Sequence, residues 1–100
     1  MRSVASVQAP TRFTVELTPP EGGWSELQQA STRARKAAEE MQREGTPVRF
    51  LRSIFVPEDN TCFFLYEGPT RRAVKDAAVR ANLGVERLHR TISATREVEK

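Results

Sequence analysis

A chain of 100 residues, 38% hydrophobic and 29% charged, supports one packed domain with a modest core and leaves no room for a second. No apolar run approaches the ~18–20 residues that cross a bilayer, and Ser3, Ser6 and Gln8 interrupt the opening segment where a secretory signal needs continuity. Sixteen basic residues against thirteen acidic ones leave a surplus too small to define a nucleic-acid partner, while the single cysteine, Cys62, excludes an internal disulfide and a paired-thiolate zinc site and points to a reducing cytoplasm.

Residues 1–11 are expected to form a loose leader. Residues 12–18 alternate, with Phe13, Val15 and Leu17 on one side and Thr14, Glu16 and Thr18 on the other, the period of a half-buried strand. Pro19, Pro20, Gly22 and Gly23 end it, because proline removes ladder donors and glycine opens turn conformations. Ser25 with Gln28 three residues later has the form of a capping box, so a helix is predicted to start there. Leu27, Ala30, Ala34, Ala37, Ala38 and Met41 recur at helical spacing, and Gly45 followed by Pro47 supplies the stop. On the outer face Arg35 with Glu39, and Glu39 with Arg43, stand four residues apart as candidate ion pairs.

Residues 48–56 are rich in β-branched and aromatic side chains, residues 57–60 read as a turn, and residues 61–67 form a second strand-like run, together a hairpin. Thr70 is the candidate cap of a second helix that turns Val74, Ala77, Ala78 and Ala81 inward, with Asp76 placed to pair with Arg80. Asn82 or Gly84 ends that helix, residues 85–92 form the last strand, and residues 93–100 are a charged tail. Two strand-helix-strand units joined in this order predict a ferredoxin-like βαββαβ sandwich over residues 12–92, an α+β fold with a four-stranded antiparallel sheet and both helices on one face.

Strict alternation along the middle strands sets Phe63 and Leu65 against Cys62, Phe64 and Tyr66, and Phe50 and Ile54 against Leu51 and Phe55. Apolar and aromatic groups on both sides of the sheet call for a cover on the side without helices, and a second copy of the chain, giving a homodimer through the sheet, is the simplest one.

Phe13-Thr14-Val15-Glu16, Phe50-Leu51-Arg52-Ser53, Phe64-Leu65-Tyr66-Glu67-Gly68-Pro69, Ala73-Val74-Lys75 and Asn82-Leu83-Gly84 resemble the small nickel-binding-like proteins of ferredoxin-like fold. The resemblance spans residues 12–92 and implies a dimeric domain whose open sheet face carries a ligand site. It also implies nickel as the ligand, yet Phe64 and Ala77 stand where the resemblance places a cysteine and a histidine, and neither side chain coordinates a metal. The cofactor is therefore left unassigned.

Glu16, Arg52, Phe64, Tyr66 and His89 are the candidate ligand-binding residues. Glu16 offers a carboxylate on the open side of the first strand, Tyr66 a phenol in the same pocket with Phe64 as its apolar wall, and His89, the single histidine, an imidazole on the last strand. Arg52 interrupts an apolar strand and calls for an acidic partner, Glu16 or Glu67. Cys62 has no histidine near it in sequence and reads as a small hydrophobe. The basic residues of the two helices read as solvated faces.

A non-enzymatic dimeric binding or sensing protein with a small ligand over the open face is the first functional expectation. A small dimeric α+β barrel enzyme, of monooxygenase or isomerase type, is the alternative, ranked second because no nucleophile, base and orienting group form a recognisable set. An RNA-binding domain of the same topology is the third. Residues 61–66 have adjacent phenylalanines and no glycine where that module alternates aromatics around one, so nucleic acid is not expected as a partner.

Overall fold

The computed structural model describes residues 11–19 and 21–90. The elements run β1 (Thr11–Leu17), α1 (Gly23–Arg43), β2 (Arg49–Val56), β3 (Thr61–Gly68), α2 (Arg71–Arg80) and β4 (Arg87–Arg90). The strands form one antiparallel sheet in the order β2-β3-β1-β4, with the two helices packed on it, the ferredoxin-like α+β arrangement expected from the sequence. The expected leader, apart from Thr11, and the expected charged tail lie outside the described residues.

Local chemistry explains the element ends. α1 starts earlier than the Ser25 cap predicts: Gly22 adopts φ 108° at the cap position and the helix begins at Gly23, so Ser25 lies inside the first turn and no side chain caps it. A β-carbon at Gly22 would collide with the Glu26 side chain, and its left-handed backbone is one that glycine adopts freely. The other end follows expectation. Gly45, at φ 103°, donates to the Gln42 carbonyl at 3.0 Å, and Thr46 donates to Met41 at 2.8 Å, the paired bonds of a Schellman motif. α2 is capped by Thr70, whose hydroxyl accepts from the Ala73 amide at 3.1 Å. Asn82, at φ 61°, ends it in a second Schellman arrangement, with Leu83 donating to Ala78 and Asn82 to Val79.

The core lies between sheet and helices. β1 contributes Phe13, Val15 and Leu17, β3 contributes Cys62, Phe64 and Tyr66, and α1 covers them with Leu27, Met41 and a run of alanines. Small residues let the helix backbone lie close to the sheet, and α2 does the same through Ala73, Val74, Ala77 and Ala78. Two arginines tie the helices together: Arg33 Nε, midway along α1, donates to the Ala81 carbonyl at 2.9 Å, and Arg80 Nη1 lies 2.9 Å from Glu44 and 3.7 Å from Glu40. Arg80 thus pairs with carboxylates of the other helix rather than with Asp76. Its hydrogen bond holds the Glu44 carboxyl below the ordinary carboxylate range. Arg35 likewise lies 5.4 Å from the centre of the Phe50 ring instead of pairing with Glu39.

One irregularity reorders a whole strand. Phe50 pairs with Tyr66 and Arg52 with Leu65, so Leu51 is an extra residue, a β-bulge, on the edge strand β2. Phe50, Ser53 and Phe55 consequently share the covered face with Tyr66, Phe64 and Cys62, while Arg52 and Ile54 share the open face with Leu65 and Phe63. Ser53 confirms the assignment, its hydroxyl lying 3.0 Å from that of Ser31 on α1. The sequence expectation that Phe50 and Ile54 point the same way is corrected, because alternation fails wherever two residues oppose one.

A candidate ligand face on the open side of the sheet

Cross-strand pairing arranges the open face in rows, since paired residues project to the same side. At one end Arg49 on β2 and Arg12 on β1 flank Glu67 on β3. In the next row Arg52, Leu65, Thr14 and His89 follow one another from edge to edge. In the third row Ile54 and Phe63 stand beside Glu16 and Arg87. Leu65 and Phe63 are half-buried and Ile54 is 40% exposed, giving an apolar stripe bordered by charge.

Two polar constellations stand out. His89 Nε2 lies 3.2 Å from Glu16 Oε1, a contact between β4 and β1 across 73 residues of sequence, and His89 Nδ1 has no partner among the described residues. At the opposite end Glu67, only 8% exposed, receives Arg12 Nε at 3.4 Å and Arg49 Nη1 at 3.3 Å. A carboxylate so far removed from water is tolerated because two guanidiniums compensate it.

The candidate residues therefore separate. Glu16 and His89 come together on the open face, and Arg52 lies on the same face in the row of Leu65 and His89. Phe64 and Tyr66 do not join them: each has zero exposure and lies beneath the helices, because the register pairs Phe64 with Val15 and Tyr66 with Phe13. A pocket shared by Glu16, Tyr66 and Phe64 is ruled out by that parity, since Glu16 pairs with Phe63. Burial pushes the Tyr66 phenol well above its ordinary pKa, and its hydroxyl has no hydrogen-bond partner among the described residues. Arg52 is exposed and forms no ion pair among the described residues. The expected partners are engaged elsewhere, Glu16 with His89 and Glu67 with Arg12 and Arg49.

Arg12 and Arg49 are the open-face residues that sequence reasoning missed. Arg12 falls on the period-two line with Thr14 and Glu16, which places it on this face, but its contact with Glu67 depends on the pairing of β1 with β3. The aromatic content of the face is also lower than alternation implies. Phe13, Phe50, Phe55, Phe64 and Tyr66 all belong to the covered side, which leaves Phe63 as the aromatic of the open side among the described residues. Stacked bases on an RNA-binding sheet need several such rings. Cys62 is fully buried on the covered face, and burial raises its thiol pKa, so it is chemically quiet.

Fold and face together define a small ferredoxin-like domain with one helix-covered sheet face and one polar, partly apolar open face. The family described as nickel responsive protein SCO4226-like matches residues 13–90, and the chain belongs to that family. The crystal structure of SCO4226 from Streptomyces coelicolor A3(2) is similar, with a TM-score of 0.63 and 25% sequence identity over 83% of this chain and 99% of that one. No curated protein matches the sequence.

The donors among the described residues do not fit a nickel centre. Nickel(II) takes imidazole, thiolate or carboxylate ligands in a defined geometry. Among the described residues no three His, Cys, Asp or Glu side chains converge. Cys62 and His89 project from opposite faces of the sheet, and Phe64 and Ala77, both with zero exposure, present only hydrocarbon. Among the described residues no helix is long and apolar enough to cross a membrane.

Proposed function

We propose that this protein is a binding or sensing protein that works as a homodimer and holds a small organic ligand between two open sheet faces, without requiring nickel. The observation that carries the reading is the Glu16–His89 pair at 3.2 Å beside half-buried Phe63 and Leu65. A carboxylate fixing one nitrogen of an imidazole leaves the other nitrogen for a ligand, and an adjacent apolar stripe supplies contact area. A sheet touches a ligand from one side only, whereas specific sites enclose most of the ligand surface. A second copy facing the first supplies the missing side and covers Phe63, Leu65 and Ile54.

The same carboxylate–imidazole pair favours, as a second reading, proton transfer in a small α+β barrel enzyme of monooxygenase or isomerase type. Binding ranks ahead of it because no nucleophile, base and orienting group form a recognisable catalytic set among the described residues.

Native mass spectrometry of the full chain, purified without added metal, tests the proposal. The expected result at micromolar concentration is a species of twice the 11.3 kDa chain mass, with a small organic adduct that Glu16→Ala and His89→Ala deplete. An 11.3 kDa monomer with no adduct overturns the reading.

A further inference from the structure

The basic end of the open face identifies the class of ligand. Glu67, with its side chain 11% exposed, engages Arg12 and Arg49 through one guanidinium nitrogen each, while those two side chains remain 63% and 66% exposed. One carboxylate thus balances one of two guanidiniums, and the remaining nitrogens of both have no partner among the described residues. Arg52, one row further along the same face, adds a third guanidinium with no ion pair among the described residues. Positive charge in excess therefore stands beside Leu65, one row from Phe63.

A guanidinium presents a planar fork of donors that matches the two oxygens of a carboxylate, and desolvated surface beside it strengthens such a pair. The nearly buried Glu67 sets an upper limit on the charge that fits, because a dianion would face its carboxylate at short range. Resting on the reading of the open face as a ligand site, we infer that the ligand is a monocarboxylate with an apolar body. Its carboxylate is held by Arg12, Arg49 and Arg52, and its body lies along Leu65 and Phe63 toward the Glu16–His89 pair. Successive rows lie about 7 Å apart along the strands, so a body of roughly six carbons reaches from the row of Arg52 to that of Phe63.

Amide chemical shifts of the full-length, isotope-labelled protein report the outcome. The probes are 4-phenylbutyrate, its uncharged primary amide, the matching phenylbutylamine, and inorganic phosphate. The carboxylate is expected to shift the amides of β1 and β3 and to bind about tenfold more tightly than the amide, the value of one charge-assisted hydrogen bond. Arg52→Ala, at an exposed side chain with no ion pair among the described residues, is expected to erase that tenfold preference by weakening the carboxylate far more than the amide; Arg12→Ala serves as the second variant. Equal binding of carboxylate, amide and amine on the same strands overturns the carboxylate assignment while leaving the open face as a ligand site. Tighter binding of phosphate than of phenylbutyrate also overturns it. No shift on the sheet from any of the four probes brings down the ligand-face reading together with the inference.

Discussion

The two faces of this sheet are built from the same four strands and obey opposite rules. On the covered face Phe13, Val15, Leu17, Cys62, Phe64 and Tyr66 are each at most 5% exposed and meet helices whose contact residues are mainly alanine. On the open face charged residues occupy positions with the same period, and among those described only Glu67 is buried, compensated by two arginines. The contrast shows where specificity resides. Packing fixes the first face and tolerates almost no polar atom, whereas the second keeps its carboxylates and guanidiniums available for other partners because water still reaches most of them.

Adjacent residues on β3 give the sharpest test of that contrast. Phe64→Ala, in the covered face, is expected to cost about 3–5 kcal/mol, a large share of the stability of a domain this size. Phe63→Ala, one residue away on the open face, is expected to cost about 1 kcal/mol in a dilute monomer. Urea midpoints for both variants check the difference. If the open faces pair, the cost of Phe63→Ala grows with protein concentration while that of Phe64→Ala barely changes. Equal costs at every concentration would break the comparison.

A smaller effect is expected at Gly68, the last residue of β3. A β-carbon there would stand 2.9 Å from Val74 Cγ2 and 3.4 Å from Val48 Cγ2, both methyl groups of fully buried side chains. Gly68→Ala should therefore cost about 1–3 kcal/mol through overpacking. Thermal unfolding measures it, and a neutral result would mean that the covered face is looser than its burial implies.

The smallest effect has the opposite sign. The Tyr66 hydroxyl is buried without a partner among the described residues, so Tyr66→Phe is expected to stabilise the protein by about 1 kcal/mol at neutral pH. Because burial raises the folded-state pKa of this phenol, the unfolded chain ionises first. Stability should then fall as pH rises through about 10, the ordinary phenol value, and Tyr66→Phe should remove that part of the decline. Tyr66 is the single tyrosine, so phenolate absorbance during an alkaline titration follows it directly. Ionisation near the ordinary value with the fold intact would place the hydroxyl in contact with water.

How much of this was legible beforehand differs by element. Residues 12–18 declare their strand by alternation, and the alanine stripe of α1, the Thr70 cap and the Gly45 stop are local signals that tertiary packing had no reason to override. Ser25 misled because two glycines upstream let the chain enter the helix earlier than any capping side chain required. Arg80 chose carboxylates on the other helix over the neighbour spaced for it on its own. Of the candidate site, Glu16 and His89 were recognisable as unusual residues on flanking strands. Phe64 and Tyr66 drew attention by their chemistry although their parity assigned them to the core.

The chain's own order of residues determined the βαββαβ succession, the apolar face of β1 and the inward stripes of both helices, because periodicity and end signals act within a few residues of one another. Tertiary structure alone decided that Leu51 is extruded from β2, that Phe50 and Phe55 therefore turn toward the helices, and that Arg12, Arg49 and Glu67 gather at one end of the sheet while Glu16 meets His89 toward the other. Those outcomes depend on strand register, and register is set by contacts between segments far apart in sequence, which no short-range pattern encodes.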